Sequence, residues 1–135
     1  MRTPGFTLVE IAVVLAVATV LIALSVPPAL SYLHKSRRSD AVAALTRTQL
    51  AQEQFRAHHG VYSINASALL GANAPRSEGG YYDISLVQVQ ADRYQAMAVA
   101  RADAAQATDR ECLQLTLSVD QGLAEFGPSA RCWNR

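Results

Sequence analysis

Residues 6–26 read FTLVEIAVVLAVATVLIALSV, a run whose one charge is Glu10 and whose apolar side chains would cover every face of a helix. At about 1.5 Å rise per residue this run spans roughly 31 Å, the thickness of a hydrocarbon core. A helix that is apolar all round does not sit on the surface of a soluble domain, and the rest of a 135-residue chain is too short to wrap it. Two readings survive. One is a membrane helix retained in the mature protein. The other is a removable secretory signal, with Arg2 as the basic start, residues 11–24 as the apolar run and Ala23-Leu24-Ser25 as a small-x-small site. Glu10 near the start of the run speaks against the signal, which has no use for a carboxylate there.

The charge distribution sharpens this division. Of the charged residues only Arg2 and Glu10 precede residue 31, so residues 31–135 carry nearly all the charge and read as one water-soluble domain. The net charge is +1, and no like-charge block exceeds the short Lys35, Arg37, Arg38 cluster, so a dedicated nucleic-acid ligand is not expected. Arg101, Arg110 and Arg131 read as isolated surface arginines rather than a basic patch. Cys112 and Cys132 enclose 19 residues in a small domain and read as a disulfide made in an oxidising compartment, the alternative being two buried free thiols. This conflicts with the positive-inside rule: Lys35, Arg37, Arg38 and Arg47 follow the apolar run and, counted mechanically, would hold the body in the cytoplasm.

Within the body, Ala41, Ala44, Leu45, Thr48, Ala51 and Phe55 recur at three- and four-residue steps. That spacing predicts an amphipathic helix over 31–59, stopped by Gly60 and continuing the apolar helix past Pro27 and Pro28, where a kink or an end is expected. Residues 63–80 read as a loop with a short helical turn at 66–70. Strands are expected at 81–89, 94–102 and 112–119, the last with Leu113, Leu115, Leu117 and Val119 on one face; Asp120-Gln121-Gly122 then turns into a short fourth strand at 123–126. The fold class is therefore α+β: a long N-terminal helical spine, its first half transmembrane, packed on a small antiparallel sheet of three or four strands.

No catalytic constellation is present: there is no G-x-S-x-G, H-E-x-x-H or phosphate-binding glycine loop, so no enzyme and no cofactor are expected. No metal site is expected either. His58 and His59 are adjacent and face different ways on a helix, neither cysteine has a ligand partner at metal spacing, and Asp103, Asp109 and Glu111 are too scattered for a calcium loop.

The segment Gly5-Phe6-Thr7-Leu8-Val9-Glu10 resembles the N-terminal signal of type IV pilins and of the related type II secretion pseudopilins: a short basic leader ending in Gly, then Phe-Thr-Leu-x-Glu opening a hydrophobic helix. The chain also resembles, through Cys112-Leu113-x-Leu115-Thr116-Leu117, Asp120-x-Gly122 and Cys132-Trp133, the disulfide-bounded C-terminal region of minor pilins from Gram-negative bacteria, and HHGVY at 58–62 resembles their helix-end signal. Thr19, where many pilins carry Gly, and the additional Pro28 depart from the pattern.

The resemblance implies three divisions: a leader at 1–5, a hydrophobic transmembrane and assembly helix at 6–30, and a periplasmic globular domain at 31–135 that includes the helix 31–59. It implies cleavage between Gly5 and Phe6, N-methylation of Phe6 by a prepilin peptidase/N-methyltransferase, an assembly role for Glu10, and a helix-bending role for Pro27. Its expected partners are other pilin subunits, the pilus assembly machinery and, before assembly, inner-membrane lipid. The expected location is the inner membrane, single-pass with the body in the periplasm, and then the extracellular pilus, which resolves the conflict between charge and cysteines. The expected function is that of a minor pilin supporting pilus assembly and adhesion, twitching motility or DNA uptake; a pseudopilin and a secreted periplasmic binding domain are the alternatives. Glu10 also has a local reading, since Thr7-x-x-Glu10 fits a capping box.

Overall fold

A computed structural model describes residues 5–71 and 76–135, with the side chains of residues 25–28 also left out. The leader expected at 1–5 therefore lies, apart from Gly5, outside the described residues, and so do the side chains of Pro27 and Pro28, on which the expected kink depends. The backbone of helix α1 (Leu8–His59) runs through the proline pair without ending there. The chain divides into two compact units, residues 1–33 and 34–135.

In the first unit α1 begins at Thr7, whose hydroxyl accepts the Glu10 N–H at 3.2 Å while its carbonyl accepts that of Ile11 at 3.2 Å. This satisfies donors that every helix start leaves orphaned. Thr19 donates its hydroxyl back to the Ala16 carbonyl at 2.8 Å, which removes its polar group from competition with the apolar surround. Phe6, Leu8 and the apolar residues that follow are exposed on all sides. The helix is long and apolar enough to cross a membrane.

The second unit carries the rest of α1, the short helix α2 (Ala66–Leu70), strands β1 (Tyr82–Val87), β2 (Arg93–Ala100), β3 (Gln114–Asp120) and β4 (Leu123–Gly127), and a 3₁₀ turn (Ala105–Thr108) between β2 and β3. The strands form an antiparallel meander in the order β1-β2-β3-β4. Alternation places Tyr82 and Ile84, Tyr94, Ala96 and Ala98, and Leu115, Leu117 and Val119 on one buried face. Against them α1 sets Ala41, Ala44 and Leu45. The buried cluster combines small side chains, Ala41, Ala44, Ala96 and Ala98, with the large Tyr82 and Tyr94.

The elements follow their local chemistry. Helix α2 starts at Asn65, whose Oδ1 accepts the Ala68 N–H, and ends at Gly71 with φ of 83°. The β3–β4 hairpin turns on Gln121 and Gly122, both with positive φ, between the paired residues Asp120 and Leu123. Two left-handed residues match the twist of the flanking strands, which is why Gly occupies one of them. One expectation shifts: Leu113 does not join the inward row of Leu115, Leu117 and Val119 but is exposed, and β3 starts at Gln114. Cys112 is buried in its place, drawn inward by its bond to Cys132.

Candidate functional site

Two regions carry chemistry, one in each unit. In the first, the Glu10 side chain is exposed, and its carboxylate has no hydrogen-bond or ion-pair partner among the described residues. Of the two halves of a capping box, the bond to the Thr7 hydroxyl is made and the return bond from the carboxylate is absent among the described bonds. Local capping thus leaves the charge unaccounted for. Gly5 and Phe6 precede the helix in non-helical backbone, and among the described residues, its chain neighbours aside, no atom lies within 4 Å of where a Cβ on Gly5 would sit.

In the second unit, the β2–β3 connection (residues 101–113) and the tail (residues 128–135) close on the turn of α1 at residues 34–39. Cys112 and Cys132 are bonded, with their Cα atoms 5.5 Å apart. Arg38, which in the sequence looks like one member of a solvated cluster, is buried and donates two bonds to Asp109, at 2.6 and 2.7 Å. Gln106 donates a third to the same carboxylate at 2.6 Å. The hydrogen bonds to Asp109 raise the Arg38 pKa further, outweighing burial, so the guanidinium stays charged. His34 shares a hydrogen bond with the Thr108 hydroxyl at 3.0 Å, and Asn134 donates to the Lys35 carbonyl and the Ser39 hydroxyl, both at 3.1 Å.

These bonds gather basic residues that are scattered in the sequence. Lys35 and Arg110 flank the His34–Thr108 and Arg38–Asp109 contacts and are both exposed, with no ion-pair partner among the described residues. Arg131 adjoins them and pairs with Glu111 at 3.0 Å, and Arg135 lies 4.3 Å above the Phe126 ring. Arg101, grouped with Arg110 and Arg131 by sequence, instead pairs with Asp103, and the two groups hold each other charged: hydrogen bonding raises the arginine's pKa and lowers that of the carboxyl. The signal for the seam was weak in the chain because Lys35, Arg110 and Arg131 are far apart in it.

The other candidates do not converge. His59 stacks on Phe55 and bonds its carbonyl, so it closes the helix end. Among the described residues no group of three His, Cys, Asp or Glu is placed to hold a metal, and Asp103, Asp109 and Glu111 go to three separate arginines. Sequence reasoning missed Gln52, which is fully buried and clamps residue 63 through both amide atoms, accepting its N–H and donating to its carbonyl at 2.8 Å each. It anchors the chain as it leaves α1.

A helical N-terminal spine, a four-stranded antiparallel meander and a disulfide closing the tail make a pilin-like arrangement, and a family model tests it independently of the N-terminal signature. The model described as type IV minor pilin ComP, DNA uptake sequence receptor, matches residues 30–116. The chain belongs to this family. The matched stretch excludes the N-terminal signature and covers residues 63–110, between the motifs at 58–62 and 112–117. No individually curated protein matches the chain at a significant level. As a member of a minor pilin family it is a structural subunit that associates with other pilins and with the pilus machinery, and its apolar helix fits membrane anchoring before assembly.

Proposed function

We propose that this pilin is cut between Gly5 and Phe6, methylated at Phe6, held in the inner membrane by residues 6–30 with its body in the periplasm, and then inserted into a type IV pilus. The observation that carries the reading is Glu10: a carboxylate in an apolar helix with no partner among the described residues. Burying it unpaired costs several kcal/mol in round terms, about as much as a neighbouring subunit's terminal ammonium recovers. Pairing with that ammonium neutralises both charges in the filament core. Sequencing the mature amino terminus tests the cleavage, with Phe6 expected and a start at Val26 excluding it. Glu10→Gln keeps the volume and any capping bond but removes the charge. It is expected to be processed and inserted normally and to be nearly missing from sheared filaments; equal incorporation excludes the intersubunit role.

A second reading is favoured by the family description, which names a receptor for DNA uptake sequence. The net charge gives it no support, but locally Lys35, Arg110 and Arg131 border one seam, and Lys35 and Arg110 lack ion-pair partners among the described residues. If the body contacts DNA phosphates there, the double variant Lys35→Ala/Arg110→Ala weakens binding to duplex DNA, and the slope of log affinity against log salt falls by about 2. An unchanged slope removes the seam from consideration.

A further inference from the structure

The Arg38 guanidinium grips two segments of chain that lie 22 residues apart, each just ahead of a cysteine. Nε and Nη2 donate to the two carboxylate oxygens of Asp109, while Nη1 donates to the Arg131 carbonyl at 3.3 Å. Asp109 in turn accepts the Cys112 N–H on its own carbonyl at 3.1 Å, and Arg131 directly precedes Cys132. Asn134, two residues past Cys132, is tied to the same turn of α1 through the Lys35 carbonyl and the Ser39 hydroxyl. No sulfur takes part in any of these bonds, so all of them are open to the chain while its cysteines are still thiols.

We propose that Arg38 is a positioning residue for formation of the Cys112–Cys132 disulfide, a helix-borne template that brings the two thiols together before they are joined. The oxidant class is a small-molecule or protein disulfide. One cysteine thiolate attacks a donor sulfur; the donor's S–S bond breaks and one donor thiolate leaves, giving a mixed disulfide. The second cysteine thiolate then attacks the protein-side sulfur, the mixed disulfide breaks, and the second donor thiolate departs. Two protein thiols are oxidised, one donor disulfide is reduced, and the two protons end on the departing thiolates. The first step is bimolecular and indifferent to Arg38. The second depends on the effective concentration of one cysteine at the other, which a pre-formed bridge between residues 109 and 131 raises. Only a planar guanidinium can serve a carboxylate through two donors and a carbonyl through a third; a lysine ammonium keeps the charge opposite Asp109 but not the fork.

The test uses the full-length protein in detergent micelles, equilibrated with reduced and oxidised glutathione at a series of ratios, with the bonded fraction read by alkylation and mass spectrometry. Arg38→Lys is expected to lower the effective concentration of the cysteine pair by about tenfold or more while circular dichroism retains helix and sheet. Ile84→Ala, a core truncation on β1 remote in sequence from both cysteines, is expected to leave it within about twofold. By reciprocity, the stability lost on Arg38→Lys is greater in the oxidised protein than in Cys112→Ser/Cys132→Ser by RT times the natural logarithm of that fall, about 1.4 kcal/mol for tenfold. Should Arg38→Lys fail to fold, Asp109→Asn reads the same quantity and is expected to fall in the same direction. An Arg38→Lys or, in its place, Asp109→Asn value within about twofold of wild type overturns the proposal, and so does an equal fall in Ile84→Ala.

Discussion

The leucines of the apolar segment and those of the body's core meet different surroundings. Leu8, Leu15 and Leu24 expose 84%, 60% and 71% of their surface, whereas Leu45, Leu115 and Leu117 in the body expose none. The residue type is the same, and the difference lies in the solvent each was selected for. In the body, apolar area is removed from water by the chain itself, at about 25 cal/mol per Å², and the alternation of the strands keeps polar groups outside. In the first unit none of the described residues performs that removal; the helix satisfies its own backbone, and its exposed apolar side chains fit membrane anchoring.

Substitutions in the body should therefore be read as stability, and substitutions in the apolar segment as partition and assembly. The largest expected effect on the body is Leu117→Ala, which opens a cavity between α1 and the sheet and costs about 2–5 kcal/mol, a fall in melting temperature on the order of 10 °C or more in scanning calorimetry. A loss under about 1 kcal/mol would mean the body core is looser than its burial states.

Cys112→Ser comes next, at about 3 kcal/mol for a loop of this length. Chemical denaturation of the variant beside wild type measures it, and an unchanged midpoint would show the tail secured wholly by its hydrogen bonds to α1.

A smaller effect concerns two of the three buried tyrosines, Tyr82 and Tyr94. Neither the Tyr82 nor the Tyr94 hydroxyl has a hydrogen-bond partner of good geometry among the described residues. Burial pushes Tyr82 from 10.0 up to about 12, against a weaker downward pull from the Gln106 side chain, and raises Tyr94 as well. Below pH 10 both folded and unfolded chains keep these protons, and the hydroxyls add no pH dependence. As pH rises through 10 the unfolded chain releases its protons first, so stability falls, and the fall from Tyr82 levels off once pH passes about 12. Tyr82→Phe/Tyr94→Phe should flatten this alkaline decline while changing stability at neutral pH by less than about 1 kcal/mol per site. An identical decline in the variant would assign it to other groups.

The smallest effect tests the comparison itself. Val14→Ala should leave the unfolding of the body within about 0.5 kcal/mol of wild type, because Val14 belongs to the first unit and is exposed. A clear drop in body stability would make the apolar segment part of the same cooperative unit, and the separation drawn from the leucines would fail.

Much of the architecture was legible from local pattern. The helix end before Gly60, the turn at residues 66–70 and the four strands emerge within a residue or two of the spans read from periodicity, because capping, alternation and turn chemistry act over a few neighbouring residues. Of the candidate site, the pairing of the two lone cysteines was legible, and the contiguous motif at residues 5–10 carries an expectation because its residues are neighbours in the chain. It was not legible at Arg38, Gln52, Gln106 and Asp109. In one dimension these are ordinary polar residues on a helix and in a loop.

The sequence by itself set apart one long apolar run from a charged body and determined the type of nearly every element, and its reading of the two lone cysteines as a disulfide agrees with the bond formed. Tertiary structure alone decided that Arg38 and Asp109, 71 positions apart, are buried together, that Leu113 is exposed while Cys112 is buried, and that Lys35, Arg110 and Arg131 flank the bonds that join α1 to the β2–β3 connection and the tail. The physical reason is range. Hydrophobic periodicity and capping are paid residue by residue, whereas the burial of a charge depends on which distant partner the fold brings within hydrogen-bonding reach.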